Sequence, residues 1–185
     1  PEEIGALALS GHSLVTVPID TDGHLLADSV PIWSDTRPGR EAEQFFRRIP
    51  EEEWYLTTGN GFPAPCYSIF KLMWLKNRQP DLFARIHKVL GSKDYINFRL
   101  TGVCCTDHSY ASGTGAYDLT SRRMRQDFLD AAGIPAGIFP EIVPSHTVVG
   151  RILPGAAREI GLSEHTLVAC GGVDNACMAL GAVGA

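Results

Sequence analysis

Several things are scarce in this chain, and each scarcity excludes a class. No apolar run approaches the roughly 20 residues that cross a bilayer, so a membrane helix is not expected. No block of Lys or Arg occurs, and the formal charge is −5, so the concentrated positive field of a nucleic-acid binder is missing. Cysteine is sparse: Cys66, Cys104, Cys105, Cys170 and Cys177 make an odd count without zinc-type spacing. The adjacent pair Cys104-Cys105 suits neither a metal clamp nor a common disulfide. His24, His87, His108, His146 and His165 show no ligand spacing either, so no metal site is expected. No secretory leader, repeat, low-complexity tract or dividing linker is visible. Reduced, mostly buried thiols in a cytoplasmic protein are the consistent reading.

What is present is alternating strand and helix patterning. Residues 4–9 and 14–20 read as strands, with Asp20-Thr21-Asp22-Gly23 as a hairpin turn and residues 25–32 returning. Residues 40–48 read as a helix with Phe45 and Phe46 inward, and residues 55–65 as a loop. Ser68 is the expected N-cap of a helix through Asn77. Pro80 opens another, to about His87. Residues 89–90 are a short strand, and residues 93–100 a helix closed by Gly102. Residues 109–117 read as a small-residue loop, 125–132 as a helix ended by Gly133, and 134–144 as an irregular connector. Strands at 148–152 and 166–169 flank a short helix at 155–160. The class is α/β.

The segment LVACGGVDNACMALG, residues 167–181, carries the most chemistry. An apolar strand runs into Gly171-Gly172, then Asp174, then a small-residue helix. Open α/β sheets hold ligands at such strand ends. Glycines admit close approach of a bulky group, and a helix N-terminus favours an anion. A carboxylate placed there can take or orient a hydroxyl proton. The alternative is also plain: Asp is a favoured N-cap, and Gly-Gly is an ordinary turn.

Other motifs follow in order. Residues 4–12 form a strand and turn. Then come Pro31-Ile32-Trp33-Ser34-Asp35-Thr36-Arg37 and Ser68-Ile69-Phe70-Lys71-Leu72-Met73-Trp74-Leu75. Lys93-Asp94-Tyr95, Leu100-Thr101-Gly102, Thr106-Asp107 and Ala111-Ser112-Gly113-Thr114 complete the series. With the Asp174 segment, this series resembles the first domain of the FGGY family of carbohydrate kinases over essentially the whole chain. The resemblance implies a ribonuclease-H-like (actin-like ATPase) fold, a mixed five-stranded sheet flanked by helices, incomplete at both ends. Residues 1–185 would be a partial N-terminal, sugar-binding domain, lacking an Asp-x-Gly-Thr phosphate hairpin before Pro1 and the ATP-binding domain after Ala185. Alone, such a piece is expected to be inactive.

The implied function is ATP-dependent phosphorylation of a small sugar or polyol, with ATP and Mg²⁺ as cofactors. No nucleic-acid or membrane partner is expected, and a homodimer is allowed. Asp174 aligns with the family's catalytic aspartate, and Gly171 and Gly172 fall near the phosphate. His12, Ser13, Leu14, Trp33, Asp35, Cys66 and Asn175 fall where the sugar is contacted. The loops at 11–14 and 33–35 should therefore approach Asp174 across a concave site. The sequence departs from the xylulose kinase pattern Gly-Gln-Met-His-Gly. His12 stands in place of Gln, Ser13 of Met, and Leu14 of the sugar-binding His, which argues against D-xylulose. Cys66 stands where glycerol kinases carry a Tyr. The bland readings are a buried Trp33, an Asp35 paired with Arg37, a packed Cys66, a Lys71 lying over Trp74, and structural roles for Asp94 and Asp107. Two other functions fit: a non-catalytic ligand-binding domain, and a hydrolase using Asp174 with Asp35 at roughly 5–10 Å.

Overall fold

The computed structural model describes residues 3–184. In chain order its strands and helices are β1 (Ala6–Gly11), β2 (Val17–Ile19), α1 (Gly39–Phe46), α2 (Glu51–Thr58), α3 (Ser68–Arg78), α4 (Pro80–Ala84), β3 (Lys88–Leu90), α5 (Ser92–Thr101), β4 (Cys105–Asp107), α6 (His108–Ser112), β5 (Tyr117–Asp118), β6 (Arg123–Met124), α7 (Gln126–Ala132), β7 (Glu141–Val143), β8 (Val148–Arg151), α8 (Pro154–Ile160), β9 (Leu167–Val173) and α9 (Asp174–Val183). Among the described residues no helix is long and apolar enough to cross a membrane.

The sheet that positions the site has the order β1-β9-β8. β1 and β9 are parallel, with Ala8 opposite Ala169 and Gly11 opposite Val173, and β8 is antiparallel to β9. The sheet is therefore mixed, as expected, but three strands of the expected five assemble here. The remaining strands form separate pairs, β2–β3, β4–β7 and β5–β6. The β1–β9 register slips between Ala8 and Ser10. Gly171 sits opposite that slip with φ +74°, and a Cβ on it would collide with the Leu9 carbonyl oxygen. Only glycine meets both demands.

One side of this sheet is sealed by α5 and α8, through Leu100, Ile152, Ala157 and Val168. The larger core lies among α1, α3 and α7, where Phe45, Phe70 and Phe128 meet edge to face. Phe45 is fully buried and Phe46 packs at the core's edge, as the sequence implies.

The structure corrects several expectations. Residues 55–65 are not all loop, because α2 runs through Thr58. Three glutamates in its first turn suit the helix dipole, and Gly59 closes it at φ +66°. Its pattern is weak because its core contribution comes almost entirely from the fully buried Trp54. The second strand is shorter than residues 14–20, since Leu14 is left-handed at φ 60°. Ser68 is the first helical residue, preceded by Tyr67, and does not cap. The connector at 134–144 contains β7, which pairs in parallel with the unanticipated β4. The loop at 109–117 starts inside the single-turn α6.

Trp54 donates from Nε1 to the Gly115 carbonyl at 2.8 Å, tying α2 to the loop after α6. Trp54→Phe keeps one aromatic ring, gives up the other with its N–H, and strands that buried acceptor. The expected loss is about 1–3 kcal/mol, read as a lower denaturant midpoint with an unchanged slope.

Candidate active site

Asp174 stands where β9 ends and α9 begins. Because β1 runs parallel to β9, its following turn emerges at the same sheet end, and residues 161 apart in sequence meet there. The Ser13 hydroxyl donates to Asp174 Oδ1 at 2.7 Å and the Ser13 amide at 3.3 Å. The Asn175 amide donates to the same oxygen at 2.9 Å. Among the described residues Oδ2 accepts no hydrogen bond, so one oxygen is anchored and the other is open. Partial burial pushes the Asp174 carboxyl up. The Ser13 and Asn175 donors and the nearby His12 outweigh burial and hold it below its usual value. The group is a carboxylate at neutral pH.

Beneath it lies a buried charge cluster. Lys93 Nζ reaches Asp94 Oδ1 at 2.5 Å and Asp107 Oδ1 at 2.9 Å, all three side chains being essentially inaccessible. Lys93 also donates to the Cys170 carbonyl, as does Asn97. Asp107 Oδ2 accepts the Ser109 and Ser145 hydroxyls, and Ser109 Oγ in turn accepts the Val173 amide at 3.0 Å. The chain of contacts ends one residue before Asp174. Asp94 and Asp107 are structural, as read; their convergence on Lys93 is invisible in the sequence.

The second candidate segment is tied to the first through Lys71. Its Nζ donates to the Leu14 and Ile32 carbonyls, each at 2.6 Å. Lys71 does not lie over Trp74; the cation there is Arg37, 4.3 Å from the ring centroid. Trp33 is 56 % exposed, so its ring is open to a ligand rather than buried. Asp35 is gripped at both oxygens by Arg37, at 2.9 and 2.7 Å. That side-chain pairing holds its carboxyl below the usual range. The Asp35–Arg37 pair thus sets the loop, and with both its oxygens held by Arg37 the Asp35 carboxyl is not free to serve the hydrolase reading.

Three further expectations need revision. Cys66 is buried beside Lys71 and burial raises its thiol, so it packs the interior. Gly171 is accounted for by Leu9, and a Cβ on the buried Gly172 would meet Cys177 Sγ and Ser109 Oγ at 3.3 and 3.4 Å. Close packing inside the domain therefore explains both glycines without a ligand. Asp174 is half-exposed, and none of the candidate residues lines either larger cavity. One, of about 610 Å³, involves Phe46, Phe62 and Pro63; the other, of about 390 Å³, involves Asp20, Arg85 and His87. His12 and Asn175 are exposed, while Ser13 and Leu14 are half-buried.

Leu14 was missed as a strained position. A leucine at φ 60° costs about 1–2 kcal/mol, and its side chain lies against Gly113. Asp20, Asp22 and His24 also gather at the hairpin turn. Asp20 Oδ1 accepts the Asp22 and His24 amides there, which is turn chemistry.

The family model for the FGGY family of carbohydrate kinases, N-terminal domain, matches residues 1–181. The chain belongs to this family. The FGGY domain is 35 % identical over 184 residues to a xylulose kinase of Bacillus subtilis (strain 168), covering 98 % of this chain and 36 % of that protein. Among solved structures it superposes on xylulose kinase from Rhodospirillum rubrum with TM-score 0.89 at 32 % identity, covering 96 % of this chain and 37 % of the other. Gluconate kinase from Lactobacillus acidophilus gives TM-score 0.85 at 29 % identity, covering 94 % and 35 %. The fold is that of the actin-like sugar kinases. The FGGY domain spans about a third of the length of these relatives.

Proposed function

We propose that this FGGY domain is the sugar side of an ATP-dependent carbohydrate kinase. A partner domain of the same polypeptide would hold ATP and Mg²⁺, and Asp174 would receive the proton of the attacking hydroxyl. The observation that carries the reading is the one-sided anchoring of Asp174: three donors on Oδ1, and Oδ2 left open at the sheet end where the β1 turn arrives. Phosphoryl transfer needs positioning and charge stabilisation more than strong base catalysis, which suits a carboxylate kept ionised. Mg²⁺, brought with the nucleotide phosphates, would neutralise charge developing on the transferred group. The FGGY domain's own share is to bind and orient the sugar and to hold the proton acceptor.

Xylulose and gluconate kinases among the relatives support a small sugar or sugar acid as the substrate class. Leu14 replaces a hydrogen-bonding group of the xylulose kinase pattern, and a site that loses such a partner discriminates strongly. We therefore place D-xylulose behind other pentuloses and polyols. A cytoplasmic setting keeps the five free thiols reduced. The test is a coupled assay of the complete kinase against pentuloses, polyols and gluconate. ATP-dependent turnover of one of them supports the reading, D-xylulose as the fastest substrate refutes the specificity, and no turnover of any refutes the function.

Trp33 offers the exposed stacking face. Trp33→Ala is expected to weaken sugar binding by roughly tenfold, in line with an aromatic contact of about 1 kcal/mol or somewhat more. The thermal midpoint should barely move, because the ring packs little. Titration calorimetry with the preferred sugar, beside a melting curve, checks both.

A further inference from the structure

We infer that Lys71 is a positioning residue for sugar recognition, its ammonium clamping the backbones of the Leu14 turn and the Ile32–Asp35 segment into one geometry. The inference deepens the kinase reading and rests on it. Lys71 is 1 % exposed, in the first half of α3 among Ile69, Phe70 and Leu72. A lysine is rarely so buried without a carboxylate partner. Here its two hydrogen bonds at 2.6 Å go to carbonyls from separate segments, 57 and 39 residues away.

Both carbonyls belong to candidate sugar loops. Leu14 follows Ser13, which holds Asp174, and Ile32 precedes Trp33. The Leu14 backbone is left-handed, a conformation that a leucine keeps only where its surroundings enforce it. The short bond to Lys71 is one such constraint, and the packing of the Leu14 side chain on Gly113 is another. A second link joins the two segments, from the Thr16 amide to the Pro31 carbonyl at 3.2 Å. Lys71 thus sits at the crossing of the proton-acceptor side and the stacking side of the site, and touches neither Asp174 nor an open surface.

The groups facing Lys71 are Asp35 and Arg37 from the Trp33 segment and Cys66 from the turn before α3. Burial lowers the Lys71 ammonium to about 8, with Asp35 opposing. Burial raises the Cys66 thiol, and pairing with Asp35 raises Arg37. As pH climbs from 7, Lys71 is the first of these four to change charge.

The test uses the complete kinase with its preferred sugar. For the native enzyme, KM should rise as pH passes 8 while kcat stays nearly level. Lys71→Met should raise KM about tenfold or more at pH 7, with kcat within about threefold, because misplacement of the substrate is the defect. Lys71→Arg keeps a permanent cation and should flatten the KM rise. Amide hydrogen exchange should quicken at residues 13–16 and 32–36 in Lys71→Met, and not in the Trp54 core. A KM within twofold of native for Lys71→Met, or a native KM flat from pH 7 to 9.5, overturns the inference. Should Lys71→Met not fold, the native and Lys71→Arg pH profiles decide alone. Should no sugar be turned over, the kinase reading fails, and exchange in the ligand-free protein still decides whether Lys71 clamps the two segments.

Discussion

Asp174→Asn in the complete kinase is expected to lower kcat by about 10²–10⁴-fold, the range of a positioned proton acceptor, with sugar KM changed little. Asn is nearly isosteric. Its amide oxygen can still take the Ser13 hydroxyl and Asn175 amide that Oδ1 takes now. Its NH₂ would then stand where Oδ2 faces the ligand, offering a donor in place of an acceptor. The loss should therefore fall on the chemical step rather than on ground-state binding. The pH dependence follows from the depressed carboxyl. A group whose folded value is lowered stays ionised throughout the neutral range and is protonated only below the ordinary carboxylate region. The Asp174 limb of kcat/KM should accordingly be absent between pH 5 and 8. A near-native kcat for the variant, or an acid limb centred above pH 5 that vanishes with the carboxylate, would sink the assignment.

Gly171→Ala should be the most damaging small change to stability. The new methyl would meet the Leu9 carbonyl oxygen inside van der Waals contact, at a φ of +74° that alanine resists. The obstacle is backbone of the neighbouring strand, so no side chain can swing aside. Relief requires parting β1 from β9 at the slip between Ala8 and Ser10. Together the two effects suggest a loss of roughly 3–5 kcal/mol. At about 2–4 °C per kcal/mol for a domain of this size, that is on the order of 10 °C in the melting midpoint. Gly137→Ala is the control: a Cβ there meets nothing within 4 Å, and it should melt close to the native protein. A Gly171→Ala midpoint within 2 °C of native would show that the strands tolerate the methyl.

Much of this was readable from residue order, because the relevant signals are local. The strand-to-helix turn at Asp174, the helix ends at Gly102 and Gly133, and the hairpin turn at Asp20 each depend on a few neighbouring residues. The approach of the Ser13 turn to Asp174 was readable through the family resemblance. What escaped depends on partners distant in sequence. α2 has one dominant inward anchor, Trp54, so its apolar period is nearly silent. β4 and β7 are three residues each and become strands by pairing with one another. Lys93 and Lys71 look like surface charges in a sequence, and burial becomes visible only when Asp94, Asp107 and the two carbonyl acceptors arrive around them. Gly171 invited a ligand explanation because a glycine needed for strand packing and one needed for phosphate leave the same letter.

The parallel pairing of β1 with β9 also bears on the order of events during synthesis. A ribosome finishes β1 some 160 residues before it finishes β9, and the Ser13–Asp174 bond closes that whole span. Pairings of such long range carry the largest loop-closure cost and form slowly. The aromatic core around Phe45, Phe70 and Phe128 joins segments that are closer in sequence and can assemble first. A nascent chain halted before residue 167 would therefore hold a partly built helical core beside an unpaired β1, whose free edge is open to unwanted pairing. The proton-acceptor site would be among the last parts of the domain to take shape.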